Sequence, residues 1–181
     1  MVILGLTGSI GMGKTTAAEM FRFLGVPVYD SDSAVHKLLG PGGEAFAAVR
    51  HAFPGAVIHG VVDRKKLGAK VFGDPDALKK LESILHPLVR QVRRKFLKQA
   101  AARRAKIVVL DFPLLYETDG AEVCDAVIVV SAPFFLQEAR VMARDGMTPA
   151  KFAGILSPQL PDLEKRRRAD FVVPTGLGRA L

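Results

Sequence analysis

The sequence predicts an α/β fold in which helices flank a parallel sheet and a helical segment is inserted after the second strand. Apolar runs of strand length alternate with helical patterns at both ends of the chain. From Ser33 to about Arg104, by contrast, the pattern is helical and shows no convincing strand. The first apolar run also leads directly into a glycine-rich segment, and 181 residues suffice for one α/β domain with a buried core.

The N-terminal elements follow from local signals. Residues 2–6 predict a buried strand, residues 14–24 a helix that ends at Gly25, and residues 26–29 a short second strand. In the helical segment that follows, clusters of glycine and proline separate the helices. Because Pro87 disfavours a helical backbone at His86, we expect the long helix to break there.

The C-terminal elements follow in the same way. The β-branched runs at 107–110 and 127–130 predict buried strands, and residues 171–173 predict a shorter one. Between the last two strands we expect a helix from about Pro133 to Asp145. A second helix is predicted to open with Thr148 as its N-cap and a proline at its first position.

The glycine-rich segment matches a phosphate-binding pattern, G-x-x-x-x-G-K-[ST], in the strand–loop–helix setting that the pattern requires. We call residues 8–15 the phosphate loop. Its members are Gly8, Ser9, Ile10, Gly11, Met12, Gly13, Lys14 and Thr15. The glycines allow backbone N–H groups to surround phosphate oxygens, Lys14 supplies charge for the β- and γ-phosphates, and Thr15 offers a hydroxyl to Mg²⁺. The pattern therefore predicts a nucleotide triphosphate as ligand.

Three aspartates follow predicted strands, at the edge where ligands of parallel sheets bind. Asp32 is placed to orient or deprotonate an attacking hydroxyl, and Asp30 to reach a metal ion directly or through water. Asp111 follows four apolar residues, as does the metal-side carboxylate of many phosphate-loop proteins. The alternatives are ordinary ones: Asp32 or Ser33 caps the next helix, and Asp111 belongs to a turn.

Two arginines and a histidine are further candidates. Arg140 and Arg144 are four residues apart on a predicted helix and would share one face, as in a lid that delivers cations to a transferred phosphoryl group. A solvated pair neutralised by neighbouring carboxylates is the alternative. His86, beside the predicted helix break, is more typical of a structural residue than of a catalytic one.

The formal charge of +8 and the isoelectric point near 9.9 raise the question of nucleic-acid binding. Much of the charge lies in residues 90–106 and 165–168. Such runs are typical of solvated helix faces, and attraction of polyphosphate ligands is a second interpretation. The chain has no Trp and no alternation of basic with aromatic residues, so we expect no nucleic-acid partner.

The remaining composition bears on the compartment. The single cysteine excludes an internal disulfide framework. The longest stretch without a charged side chain, residues 1–13, is too short to span a bilayer and lacks the basic start of a signal peptide. We therefore expect a cytoplasmic protein without a membrane partner.

Five blocks of sequence resemble the dephospho-CoA kinase family in order and spacing, namely residues 4–16, 24–32, 85–88, 111–117 and 140–145. The resemblance extends from Met1 to about Val173. It implies a P-loop kinase fold with a five-stranded parallel sheet, a helical substrate domain and a mobile lid. It also implies transfer of the ATP γ-phosphate to the ribose 3′-hydroxyl of dephospho-CoA, the last step of coenzyme A synthesis, with Mg²⁺ as the expected metal ion.

The resemblance also assigns roles to individual residues. It implies ATP contacts by residues 8–16, Thr16 included, a catalytic or metal-organising role for Asp32, and lid contacts by Arg140 and Arg144. Substrate contacts are implied for His86, Leu114, Leu115 and Glu117, and Gln159 and Asp170 also match. The family usually has an Asn followed closely by Gly near the adenine. Here the sequence is Pro174-Thr175-Gly176, so no side-chain contact to the base is carried over.

Domain bounds and alternatives complete the prediction. Residues 1–32 and 105–181 are expected to form the nucleotide-binding core, with the lid at about 134–158, and residues 33–104 the CoA-binding insertion. A kinase of another small molecule is the alternative within the same fold, and a nucleic-acid-dependent ATPase is an alternative from another class. We expect ATP and dephospho-CoA as the ligands and a monomer or weak homo-oligomer.

Overall fold

A computed structural model describes residues 1–118 and 120–176. The described chain forms two compact units: the first comprises residues 1–29 and those from 100 onward, and the second comprises residues 30–99. The sequence placed the corresponding boundaries at 32/33 and 104/105. None of the helices in the described ranges combines the length and the apolar character that a membrane span requires.

Within residues 1–118 and 120–176 the elements are strands, α-helices and two 3₁₀ turns. In chain order the strands and α-helices are β1 (Val2–Thr7), α1 (Lys14–Phe23), β2 (Val28–Asp30), α2 (Ser31–Leu39), α3 (Phe46–Ala52), β3 (Val57–Ile58), β4 (Val61–Val62), α4 (Arg64–Val71), α5 (Pro75–Ala102), β5 (Ile107–Asp111), β6 (Ala126–Ser131), α6 (Phe134–Met142), α7 (Pro149–Leu156), α8 (Asp162–Arg168) and β7 (Phe171–Pro174). The 3₁₀ turns cover Pro54–Ala56 and Gly120–Val123.

The first unit is built on a five-stranded sheet in the order β2-β5-β1-β6-β7. Strand β1 runs parallel to both of its neighbours, and β7 runs parallel to β6. In this register Leu6 lies opposite Asp111, and Thr7 opposite Val129. The predicted α/β fold with a parallel five-stranded sheet is therefore confirmed. Because β1 and β5 end at the same edge, the phosphate loop and Asp111 start next to each other.

The central strands carry the core of this unit. Val108, Val109 and Leu110 of β5 are fully buried, as are Val129 and Val130 of β6. Such continuous β-branched runs are typical of strands covered on both faces. Burial on both faces gives the loops at the carboxyl edge of β1 and β5 a rigid base.

Helix α1 ends at Phe23 and returns the chain to the sheet through a glycine turn. Gly25 adopts a φ of 76°, and the N–H of Val26 donates to the carbonyl of Phe21 at 2.9 Å. This is the closure of a helix by a left-handed residue. The N–H of Val109 then donates to the carbonyl of Pro27 at 2.9 Å, which joins the β2 segment to β5.

The second unit has its own apolar core. The buried cluster comprises Leu38, Leu39, Ala45, Val49, Phe53, Ala56, Val62 and Leu67. Leu81, Leu85 and Leu88 of α5 pack against it at helical spacing. The helices of the insertion are therefore held by tertiary packing of apolar faces.

The predicted break at His86 is wrong, because α5 continues through Pro87 without interruption. Proline removes one helical hydrogen bond, to the carbonyl four residues earlier, at Ser83. Ser83, His86 and Pro87 are all exposed, so water can solvate that carbonyl. The apolar face of α5 is packed on the core cluster, and this packing outweighs the loss of one bond on the solvent side.

The helical segment also contains a hairpin that the sequence did not predict. Val57 pairs with Val62 and Ile58 with Val61 in antiparallel orientation. His59 and Gly60, with φ of 48° and 76°, form the two-residue turn between them. Both left-handed conformations suit a type I′ hairpin turn. Strands of two residues are too short to show the alternation from which strands are predicted.

Candidate active site

The phosphate loop connects β1 to α1 and depends on three glycines. Gly11 and Gly13 have φ of 79° and 91°, a left-handed conformation that is strained for residues with a side chain. Gly8 passes so close to β6 that a Cβ there would lie 2.6 Å from the carbonyl oxygen of Val130. The loop therefore folds as it does because each of these positions lacks a side chain.

Three side chains hold the carbonyl groups of the loop. Gln137 Nε2 donates to the carbonyl of Ile10 at 2.8 Å, and Arg140 Nη1 to that of Gly11 at 3.4 Å. Thr175 donates its hydroxyl to the carbonyl of Met12 at 2.6 Å. In a trans peptide the N–H points opposite to the carbonyl. The tethers at Ile10 and Met12 therefore direct the N–H groups of Gly11 and Gly13 to the other side of the loop, while the N–H of Met12 donates to the carbonyl of Ser9 at 3.1 Å.

Helix α1 begins at Lys14, so the last two residues of the phosphate loop form its start. Its first bond runs from the N–H of Ala17 to the carbonyl of Gly13 at 3.1 Å. The N–H groups of Lys14, Thr15 and Thr16 precede this bond and face the helix N-terminus, which carries partial positive charge. A loop with fixed N–H groups followed by a helix N-terminus is a binding site for phosphate groups.

Lys14 and Asp111 form an ion pair. Lys14 Nζ donates a hydrogen bond to Asp111 Oδ1, and Asp111 is almost completely buried. The pairing follows from the register, since Asp111 ends β5 beside the strand that leads into the phosphate loop. The carboxylate predicted as a metal ligand thus also orients the lysine that is predicted to bind phosphate.

The oxygen donors of this unit fit a magnesium ion. Thr15 is exposed in the first turn of α1 and offers a hydroxyl, and Asp111 offers a carboxylate. Mg²⁺ takes hard oxygen ligands and is usually held by one or two protein groups together with substrate phosphates. Within the described residues there is no cluster of three or more His, Cys, Asp or Glu side chains for a metal ion. A site shared with phosphate oxygens is the arrangement that these donors allow.

Arg140 is half-buried and contacts three acceptors. Besides the carbonyl of Gly11, it reaches Thr175 Oγ1 with Nη1 at 3.2 Å and the carbonyl of Thr175 with Nη2 at 2.7 Å. Its guanidinium therefore joins the phosphate loop to the segment after β7. Its predicted contact with a transferred phosphoryl group stays a prediction.

The prediction that Arg140 and Arg144 share a helix face is wrong. Helix α6 ends at Met142, and the N–H of Arg144 donates to the carbonyl of Val141 at 3.0 Å in a tight turn. Gly146 then adopts a φ of 67°, and Thr148 caps α7 by accepting from the N–H of Lys151 at 3.3 Å. Because the chain turns before this cap, Arg144 lies exposed beyond the helix end.

The other predicted carboxylates belong to the second unit. Asp30 is the N-cap of α2: its Oδ1 accepts from the N–H of Ser33 and its Oδ2 from the hydroxyl of Ser33, both at 2.9 Å. The cap expected at Asp32 or Ser33 is therefore formed by Asp30. Asp32 lies exposed in the first turn of α2, and His86 is exposed on α5. Their catalytic and substrate-binding roles stay predictions.

The segment after β5 contains the predicted substrate residues of the first unit. Leu115 is fully buried, and a Cβ at Gly5 would meet its Cδ1 at 2.6 Å. Leu114 is exposed, so its side chain is available for contacts that Leu115 does not offer. Leu115 therefore anchors this segment in the core, and Leu114 lies on its exposed side.

Glu117 is held by α8 and the residues before it. Lys165, which is fully buried, places Nζ 2.9 Å from Glu117 Oε1, and the N–H of Leu160 donates to the same oxygen at 2.7 Å. Burial raises the pKa of Glu117, but the ion pair with Lys165 and the hydrogen bond from Leu160 outweigh it and lower the pKa below its ordinary value. The sequence grouped Lys165 with exposed basic residues, and no local signal distinguishes it from its neighbours.

A pocket of about 310 Å³ lies beside the phosphate loop in the first unit. Its polar lining includes Ser9, Gln137, Gln159 and Asp162. The hydroxyl of Ser131 donates to Asp162 Oδ2 at 2.8 Å, and Gln159 Oε1 accepts from the N–H of Ile10 at 3.4 Å. The loop therefore faces a partly apolar space with a few fixed polar groups, as small-molecule sites do.

The chain matches known proteins over nearly its whole length. The family model CoaE, dephospho-CoA kinase, matches residues 2–176. A dephospho-CoA kinase of Paramagnetospirillum magneticum is 62% identical over 166 residues, 92% of this chain and 78% of the relative. The crystal structure of TT1252 from Thermus thermophilus is 36% identical with a TM-score of 0.86, and the match covers 96% of this chain and 87% of that one. A dephospho-CoA kinase from Campylobacter jejuni is 27% identical with a TM-score of 0.64, over 97% and 89% of the two chains.

These matches include the phosphate loop, the inserted helices and the segment that ends at Gly176. They confirm the resemblance predicted from the five sequence blocks, and with it the P-loop kinase fold. The chain therefore belongs to the dephospho-CoA kinase family, whose reaction is the final step of coenzyme A biosynthesis.

Proposed function

We propose that this protein transfers the γ-phosphoryl group of ATP to the ribose 3′-hydroxyl of dephospho-CoA. The observation that carries the proposal is the phosphate loop, with its three tethered carbonyl groups and its Lys14 held at Asp111, in a chain of this family. Phosphoryl transfer requires mainly positioning and charge stabilisation. Oriented N–H donors of the loop together with an oriented ammonium group supply both.

The residues of the phosphate loop bind the triphosphate of ATP. The N–H groups of Gly11 and Gly13 and those of the first turn of α1 contact the phosphate oxygens, and Lys14 places its charge on the β- and γ-phosphates. Thr15 and Asp111, with a further contribution from Asp30, would hold Mg²⁺, which would supply positive charge to offset that of the phosphates. Asp111 keeps Lys14 at the loop, so little rearrangement is needed when ATP binds.

The acceptor side uses residues from both parts of the sequence. Asp32 orients the ribose hydroxyl or accepts its proton, and Arg140 takes up charge on the transferred group with a smaller contribution from Arg144. Residues 33–104, with His86, bind dephospho-CoA together with Leu114, Leu115 and Glu117. Residues 134–158 form the lid, whose closure excludes water.

The cellular setting is part of the proposal. We place the enzyme in the cytoplasm, as a monomer or weak homo-oligomer without a nucleic-acid partner. Both substrates are polyanions, and a net charge of +8 attracts them over distances of about a Debye length, roughly 10 Å at moderate salt. The basic composition therefore serves substrate encounter.

A substrate panel tests the proposal. Purified protein is incubated with ATP and Mg²⁺ and with dephospho-CoA, adenosine, AMP or pantothenate, and phosphorylated products are detected by mass spectrometry. We expect one phosphoryl group on dephospho-CoA, and almost no product with Lys14→Ala, which keeps the fold. Phosphorylation of another acceptor in preference to dephospho-CoA would contradict the proposal, and omission of Mg²⁺ tests the metal requirement separately.

A further inference from the structure

Thr175 directly follows β7 and lies half-buried beside the phosphate loop. Its N–H donates to the carbonyl of Ser131 at 2.8 Å, which fixes its backbone to the end of β6. Its hydroxyl lies 2.6 Å from the carbonyl of Met12 and 3.3 Å from that of Ser131. A hydroxyl has one proton to donate, and the shorter contact indicates that Met12 receives it.

Arg140 fixes the orientation of this hydroxyl. Nη1 of Arg140 donates to Thr175 Oγ1 at 3.2 Å, so that the oxygen accepts one hydrogen bond while it donates another. Nη2 donates to the carbonyl of the same threonine at 2.7 Å. A hydroxyl that accepts from a cationic group becomes a stronger donor. The bond to Met12 is therefore part of a connected and charge-assisted network.

The same side chain also touches the next residue of the loop. A Cβ built on Gly13 would lie 3.2 Å from Thr175 Oγ1 and 3.3 Å from its methyl carbon. The sulfur of Met12 accepts from the N–H of Ala132 at 3.1 Å, so Met12 is held from the β6 side as well. The peptide plane between Met12 and Gly13 is thus restrained at its carbonyl and along one face.

This restraint has a direct consequence for anion binding. In a planar trans peptide the N–H of Gly13 points opposite to the carbonyl of Met12. Holding that carbonyl against Thr175 directs the Gly13 N–H away from Thr175, to the opposite side of the loop. N–H groups oriented before binding need no reorganisation when phosphate arrives.

We propose that Thr175 is a positioning residue for the phosphate loop, and that its hydroxyl raises affinity for the triphosphate group irrespective of the attached base. The inference rests on the proposed function, since it assumes a triphosphate ligand. It differs from a contact with the adenine, the role that the family resemblance associates with this part of the chain.

The two roles are separated by comparing ATP with inorganic tripolyphosphate, which has no base. Binding of each to the full chain is measured by isothermal titration calorimetry with Mg²⁺. We expect Thr175→Val to lower the affinity for ATP and for tripolyphosphate by a similar factor of about five to ten, the scale of one lost hydrogen bond. Thr175→Ser keeps the hydroxyl and should bind both within about twofold of the unmodified protein.

A matched control is available at Thr118. Its hydroxyl also donates to a backbone carbonyl, that of Leu114 at 2.7 Å, but in the segment after β5. Thr118→Val makes the same chemical change with the same kind of bond lost. We expect it to leave tripolyphosphate affinity unchanged.

Several results would overturn the inference. If Thr175→Val lowers the affinity for ATP but not for tripolyphosphate, the side chain contacts the base. If Thr175→Ser binds both ligands as weakly as Thr175→Val, packing by the methyl group is the cause. If Thr175→Val does not fold, as judged by circular dichroism, Thr175→Ala takes its place with the same expected losses. Failure of both to fold would assign the residue to the stability of the core.

The experiment is independent of the acceptor. Absence of phosphoryl transfer to dephospho-CoA would contradict the proposed function. Weaker tripolyphosphate binding by Thr175→Val would still support the role of Thr175 in that case. Conversely, normal tripolyphosphate binding by Thr175→Val would refute this inference. The proposed function would stand if the unmodified protein phosphorylates dephospho-CoA. Unmodified protein that binds neither ATP nor tripolyphosphate would contradict the proposed function itself.

Discussion

Lys14 Nζ donates a hydrogen bond to Asp111 Oδ1, which joins the start of α1 to the end of β5. The two residues are 97 positions apart in sequence, and the parallel pairing of β1 with β5 brings them together. Lysine carries its charge on a flexible side chain, which adopts many rotamers when its ammonium group has no partner. The buried carboxylate of Asp111 holds the ammonium group of Lys14 at the end of β5.

We predict that Asp111→Asn lowers the turnover number by about 10²-fold, the scale of losing an electrostatic group at the reacting phosphates. The amide neither attracts Lys14 as strongly nor binds Mg²⁺ as well. Asp125→Asn is the matched control, because Asp125 Oδ2 accepts from the N–H of Ile3 at the start of β1. Steady-state kinetics that show equal losses for both variants would refute a role specific to Asp111.

Asp32→Asn is expected to retain ATP binding but to reduce phosphoryl transfer by about 10²-fold or more, as for a lost general base or orienting carboxylate. Asp76→Asn provides the control, since Asp76 also lies in the first turn of a helix and loses the same interaction with the helix dipole. Single-turnover assays and ATP titrations measure the two effects. Near-normal transfer by Asp32→Asn would leave Asp32 a helix-terminal charge only.

For Arg140→Ala we expect a larger fall in turnover number than rise in the Michaelis constant for dephospho-CoA, because a contact made only in the transition state affects only the barrier. The contacts with Gly11 and Thr175 add a second expectation, a raised Michaelis constant for ATP. Arg140→Lys should recover part of the rate, since it restores charge without the planar fork. Arg144→Ala should be milder.

Retention of more than about half of the turnover number by Arg140→Ala would contradict its role in the reaction, since even 1.4 kcal/mol corresponds to roughly tenfold. Circular dichroism of each variant establishes that the fold is intact. The ATP Michaelis constant then reports the loop tether separately from the reaction.

Lys165→Met should lower the free energy of unfolding by about 3–5 kcal/mol, because it leaves Glu117 partly buried without its cation. The double variant Lys165→Met with Glu117→Leu should be more stable than the single one, since no charge remains to be desolvated. Arg167→Met is the control: its pair with Glu164 is exposed and contributes about 0–1 kcal/mol. Urea denaturation measures all three, and equal costs at both sites would contradict the burial argument.

The lowered pKa of Glu117 predicts a pH dependence of stability. A carboxyl whose pKa is lower in the folded protein stabilises it above the unfolded pKa, here 4.5, and loses this contribution as pH falls through the folded pKa. Glu117→Gln should therefore be less stable than the unmodified protein at neutral pH, and the difference should shrink below pH 4.5. A difference independent of pH, measured by urea denaturation, would refute the assignment to Glu117.

Local signals predicted most of the secondary structure because they act within a few residues. The runs that became β1, β5, β6 and β7 and the glycine that ends α1 were identified from short stretches of consecutive residues. The errors arose where packing or neighbouring turns outweighed a local preference. Pro87 lies on the solvent side of a helix whose other face is packed, and the hairpin at His59 and Gly60 is too short to show a strand pattern.

The candidate site shows the same division. Pattern and spacing identified Lys14, Arg140 and Asp111 as candidates. They did not predict the ion pair of Lys14 with Asp111 or the hydrogen bonds of Arg140. The α2 cap fell on Asp30 and not on the next candidates, because strand β2 ends at that residue and its side chain reaches the N–H of Ser33. Arg144 left the predicted face because a turn at Gly146 ends the helical region early.

The sequence by itself determined the type and order of the principal elements, the phosphate loop and the family, because periodicity, glycine spacing and motif order are properties of neighbouring residues. Only the tertiary structure decided that Lys165 is buried on Glu117 while Arg167 is exposed, and that Thr175 holds Met12 from 163 positions away. Both outcomes depend on which face of an element packs against the sheet. That choice is made by contacts between distant segments, and neither residue type nor local spacing encodes it.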